Sequence, residues 1–393
     1  MRVRHCQPVS AVSFLGTLLL LLVLPSATRL RWGVGAFSGV TPPPRNFVQA
    51  VKERTQAVPT SNPSADPDAT SVSGANYAHV LQGLNALYPP TELESRNALS
   101  RKDGYWPYIN EGKEPPECFT YGEFDFFLFA QLLDRTHQLW IEHHEEDASR
   151  LDWRDKIFVD IGSGAGRLVA AAAALHPSWT TCRGIELLPS IHESAVATLQ
   201  ECRDDDGSYA LAVTSNLTLP IAPIDLACGS FADPYTHFGD ADVIFMFTSA
   251  LNPTLLCELS LAVGRQCRPG TLVLTTDYAL NLEGEVPPVE GDNRFSSGSF
   301  RLEIVDQIDG WCWCTGGQTT AYIHRVVKAV HPEGLPHALD RPVPSVQDVA
   351  FQVAMQRERG ELTDTDRFLR GVANNVRFQG LPEGFVPRRY QEN

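Results

Sequence analysis

The chain has 393 residues, enough for one large domain or two modest ones, and its 43% apolar content is ordinary for a globular protein. Its formal charge is -15; without the first 36 residues, 28 basic side chains face 47 acidic ones and the charge falls to -19. A surface so acidic repels phosphate backbones, so no nucleic-acid partner is expected, and a small-molecule, cationic or protein partner fits better.

At the amino terminus Arg2, Arg4 and His5 precede the apolar run Phe14 to Leu24, and the small residues Ser26 and Ala27 follow. That order is the order of a signal peptide, and the run is shorter than the roughly 20 apolar residues a membrane-spanning helix needs. Val34-Gly35-Ala36-Phe37-Ser38 resembles the cleavage motif of algae whose plastids lie inside the endomembrane system. Residues 1–36 therefore read as a signal peptide. Residues 37–75, rich in Ser, Thr, Pro and Ala with Arg45, Lys52 and Arg54 among few acids, read as a transit-like disordered linker. The expected destination is a plastid reached through the secretory pathway, with secretion or the endomembrane lumen as the alternative. No stable membrane span is expected after cleavage. Asn216-Leu217-Thr218 is a glycosylation sequon, informative only on a secretory route.

Residues 76–150 read as a helical region, with Phe126, Phe129, Ala130, Leu133, His137 and Trp140 spaced as one helix face. From 151 to 330 strands and helices alternate. The spacing predicts strand Ile157 to Asp160, an Ala-rich helix Arg167 to His176, strand Thr181 to Leu187 and a helix from Pro189 to about Arg203. Strands Asp225 to Cys228 and Asp242 to Phe247, a helix from Thr254 to Gln266 and strand Thr271 to Asp277 complete the alternation, which marks a parallel sheet wrapped by helices. Phe300 to Ile308 and Thr319 to Lys328 then follow as two strand-like runs with no helix between them, an antiparallel hairpin. The fold class expected is thus α/β, a doubly wound Rossmann-like sheet ending in an antiparallel hairpin. Residues 331–393 form an extension with helices expected at Ser345 to Arg357 and Asp364 to Val376.

Of nine cysteines, eight remain if Cys6 leaves with the signal, and their scatter does not resemble a small disulfide scaffold. Cys312 and Cys314, two apart, would share one strand face; without a second ligand pair at metal spacing, no metal site is expected. His176 and His192 read as surface or capping residues.

The chemistry concentrates in Asp160-Ile161-Gly162-Ser163-Gly164-Ala165-Gly166, where an apolar strand gives way to a helix. Glycines there let the backbone turn tightly and a ligand approach without meeting a Cβ. A dinucleotide fingerprint needs its third glycine where this chain has Arg167, which counts against a pyrophosphate site. Gly184-Ile185-Glu186 ends the next strand, 26 residues after Asp160, where a carboxylate can accept hydrogen bonds from both hydroxyls of a ribose. Gly229-Ser230-Phe231 follows the third strand, at the place for an adenine edge and a stacking neighbour. All three sit at the carboxyl ends of strands, where open α/β sheets bind ligands.

The block Ile157 to Glu193 resembles class I S-adenosyl-methionine-dependent methyltransferases. Thr120-Tyr121-Gly122-Glu123 is similar to the cofactor loop of the disruptor-of-telomeric-silencing class of histone lysine methyltransferases, and YGE, DIGSGxGR and GIE are shared with plastid-type methyltransferases of plants and algae. The likeness spans about Tyr121 to Phe247, a third of the chain, with a weaker continuation through Arg268-Pro269-Gly270. It implies S-adenosyl-L-methionine as cofactor, with Tyr121 and Glu123 closing over the methionine end. Asp160, Gly162, Ser163, Gly164 and Gly166 would seat it, Glu186 would bind the ribose, and Ser230 and Phe231 would hold the adenine. Two positions depart from the histone-methylating class: Phe247-Thr248-Ser249 stands where that class has Asn-Asn-Phe, and Ser230 replaces an Asp. The Asn/Asp-Pro-Pro-aromatic motif of many amine methylators is also missing, since Asn252-Pro253-Thr254 continues differently.

Methyl transfer from a sulfonium is an in-line displacement with a good leaving group, so alignment and water exclusion are the main demands on the protein. Thr248, Ser249 and Tyr121 are the candidates for the acceptor side. The leading expectation is an enzyme methylating a protein side chain or small molecule. A non-catalytic binding or regulatory module and a histone lysine methyltransferase-like enzyme are the alternatives; a nicotinamide oxidoreductase is opposed by the glycine spacing and the terminal hairpin.

Overall fold

The computed structural model describes residues 69–144, 153–205, 207–312, 314–315 and 317–341. The signal segment, the linker up to residue 68 and the two helices expected near the carboxyl terminus lie outside the described residues. The chain divides into a unit ending at Leu339 and a second from Asp340 to Asn393; the architecture below belongs to the first.

Three helices open it, α1 (Tyr77–Leu87), α2 (Leu93–Gly104) and the short α3 (Trp106–Asn110). α1 begins at Asn76, whose side chain accepts from the His79 N–H, the N-cap bond that satisfies one of the free amides of a helix start. The long α4 (Phe126–His144) follows. All six residues of its expected apolar face are buried. Residues 69–75, assigned by composition to the linker, are folded: the Ser71 hydroxyl, 4% exposed, donates to the Leu175 carbonyl at 3.0 Å, and Ser73 donates to the same oxygen. A polar segment docks here because the end of a helix offers it unpaired carbonyls.

The alternation then runs β1 (Ile157–Ile161), α5 (Arg167–Leu175), β2 (Thr181–Glu186), α6 (Pro189–Gln200), β3 (Ala210–Thr214), β4 (Leu217–Pro220), β5 (Ile224–Cys228), β6 (Val243–Met246), α7 (Pro253–Gln266) and β7 (Leu272–Thr276). β8 (Glu283–Val286), β9 (Gly298–Cys312) and β10 (Gly317–Lys328) close the chain of strands. Eight of them form one sheet in the order β5-β2-β1-β6-β7-β10-β9-β8. The first five are parallel and the last three join antiparallel. This is the mixed, mostly parallel α/β sheet expected of a Rossmann-like fold. The sequence pattern does not signal β3, β4 and β8: β3 and β4 are a hairpin apart from the main sheet, and β8 is a short, largely exposed edge. Short edges of this kind carry little apolar pattern.

Alternate residues feed two cores, one on each sheet face. Phe158, Val243, Phe245, Leu272 and Leu274 point to the side covered by α1, α4, α5 and α6, whereas Val159, Ile244, Met246 and Val273 meet α7. Around β1 the chain first adds strands on one side, β2 and β5, and then on the other, β6 and β7, which opens a crevice at the carboxyl ends of β1 and β6. His176 and His192, read from sequence as surface or capping residues, are both buried. His176 does stand at the C-cap of α5, yet it lies among His137, Trp153 and Trp179, where burial and His137 hold its pKa down to about 3 and keep it neutral. The aromatic stack of Trp153 on Trp179, 4.4 Å between centroids, roofs this end of α5 and shuts the imidazole away from water.

Phe129 joins α4 to the sheet, its ring edge-on to Phe158 at 6.1 Å and to Phe245 at 5.1 Å, with no exposed surface. Phe129→Ala should lower stability by about 3–5 kcal/mol, read as a fall in the urea midpoint at unchanged slope.

Candidate functional site

β1 delivers Asp160 to the crevice and ends in three glycines in left-handed conformations, Gly162 (φ 80°), Gly164 (φ 53°) and Gly166 (φ 82°). The turn is fastened to the neighbouring strand: Gly162 N–H and Ser163 N–H both donate to the Ile185 carbonyl, at 2.8 and 3.1 Å. A Cβ on Gly162 would meet no atom within 4 Å, so its backbone lines open space, whereas one on Gly164 would sit 2.6 Å from the Tyr121 ring. Gly164 is therefore glycine for two reasons, backbone conformation and the ring lying over it.

Glu186, at the end of β2, is buried and holds this corner together. Its Oε2 accepts from Gly164 N–H and its Oε1 from Leu188 N–H, both at 2.8 Å, and its own carbonyl accepts from Gly229 N–H at 2.9 Å. One residue thus ties the glycine turn, the start of α6 and the end of β5. Each carboxylate oxygen retains a further lone pair for a ligand hydroxyl. Burial raises the pKa of Glu186, opposed by the bonds from Leu188 and Gly164.

Asp160 has no such help. Burial, and then the charge of Glu186, push its carboxyl up to about 8, with no hydrogen bond from the described residues to offset them. The two acids are close enough to repel. A buried acid lacking donors beside a second acid is disfavoured as an anion until a positive charge arrives.

The Tyr121-Gly122-Glu123 loop covers the turn. Tyr121 donates its hydroxyl to Glu123 Oε1 at 3.0 Å, Arg96 reaches the same oxygen through Nε at 2.8 Å and a terminal nitrogen at 2.7 Å, and Arg167 Nε stands 3.5 Å from Oε2. Glu123 therefore anchors the loop to α2 and to the start of α5. Sequence reading placed Arg167 only as the residue standing where a third glycine would be and as the last of the DIGSGxGR motif, without this role, and Arg96 carries no local signal. Tyr88 is a third such residue, buried against the same turn with its hydroxyl 3.4 Å from a Cβ built on Gly166 and without a hydrogen-bond partner among the described residues.

Ser230 and Phe231 follow β5 at the crevice edge. The Ser230 hydroxyl accepts from Ala232 N–H at 3.2 Å, and Phe231 packs, half-buried, on the α7-side core. Thr248 and Ser249, the acceptor-side candidates, lie past β6. Thr248 is fully buried: its hydroxyl donates to the Thr276 carbonyl and accepts from Thr276 N–H at 3.0 Å, while Thr248 N–H donates to the Thr276 hydroxyl at 3.1 Å. That reciprocal clasp fastens β6 to β7. Ser249 points its hydroxyl at Asp277, which has a left-handed backbone (φ 62°) just past β7. Cys314 does not extend β9 as the strand reading expected; β9 ends at Cys312 and Cys314 lies in the turn.

No protein-family model matches the sequence, and no curated protein matches it. Among solved structures, the chain is similar to the rRNA methyltransferase aviRa from Streptomyces viridochromogenes, at 12% identity over 57% of this chain and 92% of that one, with a TM-score of 0.35. A variant of MtNAS in complex with S-adenosylmethionine shares 12% identity over 65% of this chain and 77% of that one, with a TM-score of 0.32. An S-adenosylmethionine-dependent methyltransferase from Clostridium acetobutylicum shares 13% over 51% and 98%, with a TM-score of 0.27. At TM-scores this low the likeness carries no argument about this chain.

Because the folded pKa of Asp160 lies above its unfolded value, the unfolded chain binds fewer protons between the two, and this residue's contribution to stability falls as pH rises through that window, levelling above about 8. Urea titrations across that range should show the slope, and Asp160→Asn should flatten it.

Proposed function

We propose that the chain is an S-adenosyl-L-methionine-dependent methyltransferase acting on a protein side chain or a small molecule. The observation that carries the reading is the acid pair, Asp160 and Glu186, buried side by side at a glycine turn whose backbone lines open space. The donor set suits this cofactor: Glu186 offers acceptor lone pairs to a ribose diol, and Asp160 offers a carboxylate to a ligand bearing positive charge. When bound, the cofactor supplies a methyl group on a sulfonium whose departure leaves a neutral thioether. Tyr121, lying over Gly164 and held by Glu123, keeps water from the turn; Gly162 and Gly164 let the ligand approach the backbone. Ser230 and Phe231 border the adenine side. On the acceptor side Ser249, oriented by Asp277, presents a polar pair past β6. The strongly negative surface favours a neutral or cationic acceptor over a polyanion, and the amino-terminal segment supports delivery to a plastid by the secretory route.

Calorimetry of the full chain with S-adenosyl-L-methionine tests the reading. Binding should weaken by at least about tenfold in Asp160→Ala and in Glu186→Ala, a difference of about 1.4 kcal/mol. A cation beside Asp160 favours its ionised form, so binding at about pH 7 should release a proton, seen as a heat that varies with the ionisation enthalpy of the buffer. Asp160→Asn should remove that release. A wild-type chain that gives no heat would sink the proposal.

The Thr248 clasp favours one other reading. With that hydroxyl tied to Thr276 and the asparagines of the histone-methylating class replaced, the chain could keep the cofactor fold as a binding or regulatory module. Incubation with radiolabelled cofactor and a fractionated extract separates the two: label in protein or metabolites supports the enzyme, and cofactor binding without any label supports the module.

A further inference from the structure

One chemical group near the glycine turn has no part in that reading. Cys312 ends β9 and Cys314 follows in the turn, and their sulfurs stand 3.0 Å apart, closer than two sulfurs in ordinary van der Waals contact. Cys312 has no exposed surface and Cys314 is half-buried, which makes Cys314 the more exposed residue of the two. A hydrogen bond between them favours a single thiolate on the pair. That bond is the main reason Cys312 is drawn down to about 7 against its burial, with backbone amides including that of Asp125 assisting; the same bond, burial and the partner's charge push Cys314 up. A thiolate near neutral pH with a second thiol in contact is the requirement for disulfide exchange.

The pair also touches the loop that covers the glycine turn. The Asp125 N–H points at the Cys312 sulfur, and the Cys314 Cβ lies 3.7 Å from where a Cβ on Gly122 would stand, with the Phe247 ring at 3.5 Å on the same spot. The hairpin places it there: β10 pairs with β7 only from Ala321 to Arg325, whereas it pairs with β9 as far as Gly317 opposite Cys312. The β9–β10 ladder therefore overshoots the end of β7 toward the Tyr121 loop.

We propose that Cys312 and Cys314 form a dithiol–disulfide site that is oxidised by a low-molecular-weight disulfide, and that its closure restrains the 121–125 loop. The pair holds one proton between two sulfurs, and it rests mainly on Cys314; when it passes along the hydrogen bond to Cys312, the more exposed Cys314 is left as the thiolate. It attacks one sulfur of the small disulfide and breaks its S–S bond, so that a mixed disulfide forms and one small thiolate leaves. Cys312, its proton lost to solvent, then attacks the Cys314 sulfur and expels the second small thiolate. Two protein thiols are oxidised and one disulfide is reduced to two thiols. Any consequence for cofactor binding rests on the proposed function; the oxidation and the loop restraint do not.

The test uses the full chain and glutathione disulfide, with acid quenching, alkylation of remaining thiols and tryptic digestion. Cleavage after Arg301 and Arg325 gives a peptide holding Cys312 and Cys314 and no other cysteine. It should lose the mass of two hydrogens and take up no alkyl group, while the exposed Cys257 carries glutathione and shows that the oxidant has acted. A peptide 302–325 still doubly alkylated, or one halted at the mixed disulfide, overturns the site. Amide hydrogen exchange across 120–125 should slow severalfold on oxidation in the wild type and stay unchanged in Cys314→Ser; equal exchange in the oxidised and reduced wild type overturns the restraint. Neither readout involves S-adenosyl-L-methionine, so failure here is distinguishable from failure of the methyltransferase reading.

Discussion

Two carboxylates buried side by side are a liability in a protein that binds nothing. Asp160 and Glu186 stand at the ends of adjacent parallel strands, with Asp160 opposite Gly184 in the register, and the surrounding chain is arranged around their repulsion. Glu186 is stabilised by amides of the glycine turn and of the α6 start, so its charge organises backbone; Asp160 has no such donor among the described residues. Through Glu186 this corner ties the glycine turn, the start of α6 and the end of β5 together.

The cover is the part in which the helical region and the sheet meet. Arg96 from α2, Arg167 from α5 and the Tyr121 hydroxyl converge on Glu123, three donors on one acid whose side chain is only 10% exposed. An ion pair so placed gains little net stability over an apolar substitute but strongly resists losing one partner. The loop is thereby fixed in one place by residues far apart in the chain, which favours a rigid lid over the turn rather than one that folds on demand.

Much of this was legible beforehand, for a physical reason: β1, β6 and β7 are buried on both faces and read as largely apolar runs, and the helices between the strands start at Pro189 and Pro253 or end near Pro177. The acids and glycines of the site lie at strand ends, where a motif is local and spacing carries the information. What was not legible depends on pairs distant in sequence. Arg96 meets Glu123 across a loop, Thr248 meets Thr276 across two strands, and Tyr88 meets Gly166 from another helix; none leaves a periodic trace. β3 and β4 escaped because α1, through Gly83 against Leu211, supplies the surface they need. The burial of His176 escaped because the rings enclosing it, those of His137, Trp153 and Trp179, come from separate stretches of the chain.

The docking of residues 69–75 on α5 sets a boundary for any processing of the amino terminus. The Leu175 carbonyl is met by the hydroxyls of Ser71 and Ser73, and the Val72 N–H reaches Asp134 at 3.1 Å. A peptidase that cut a few residues past residue 68 would strip the end of α5 of these partners. A cut that spares these contacts has to fall before Ser71.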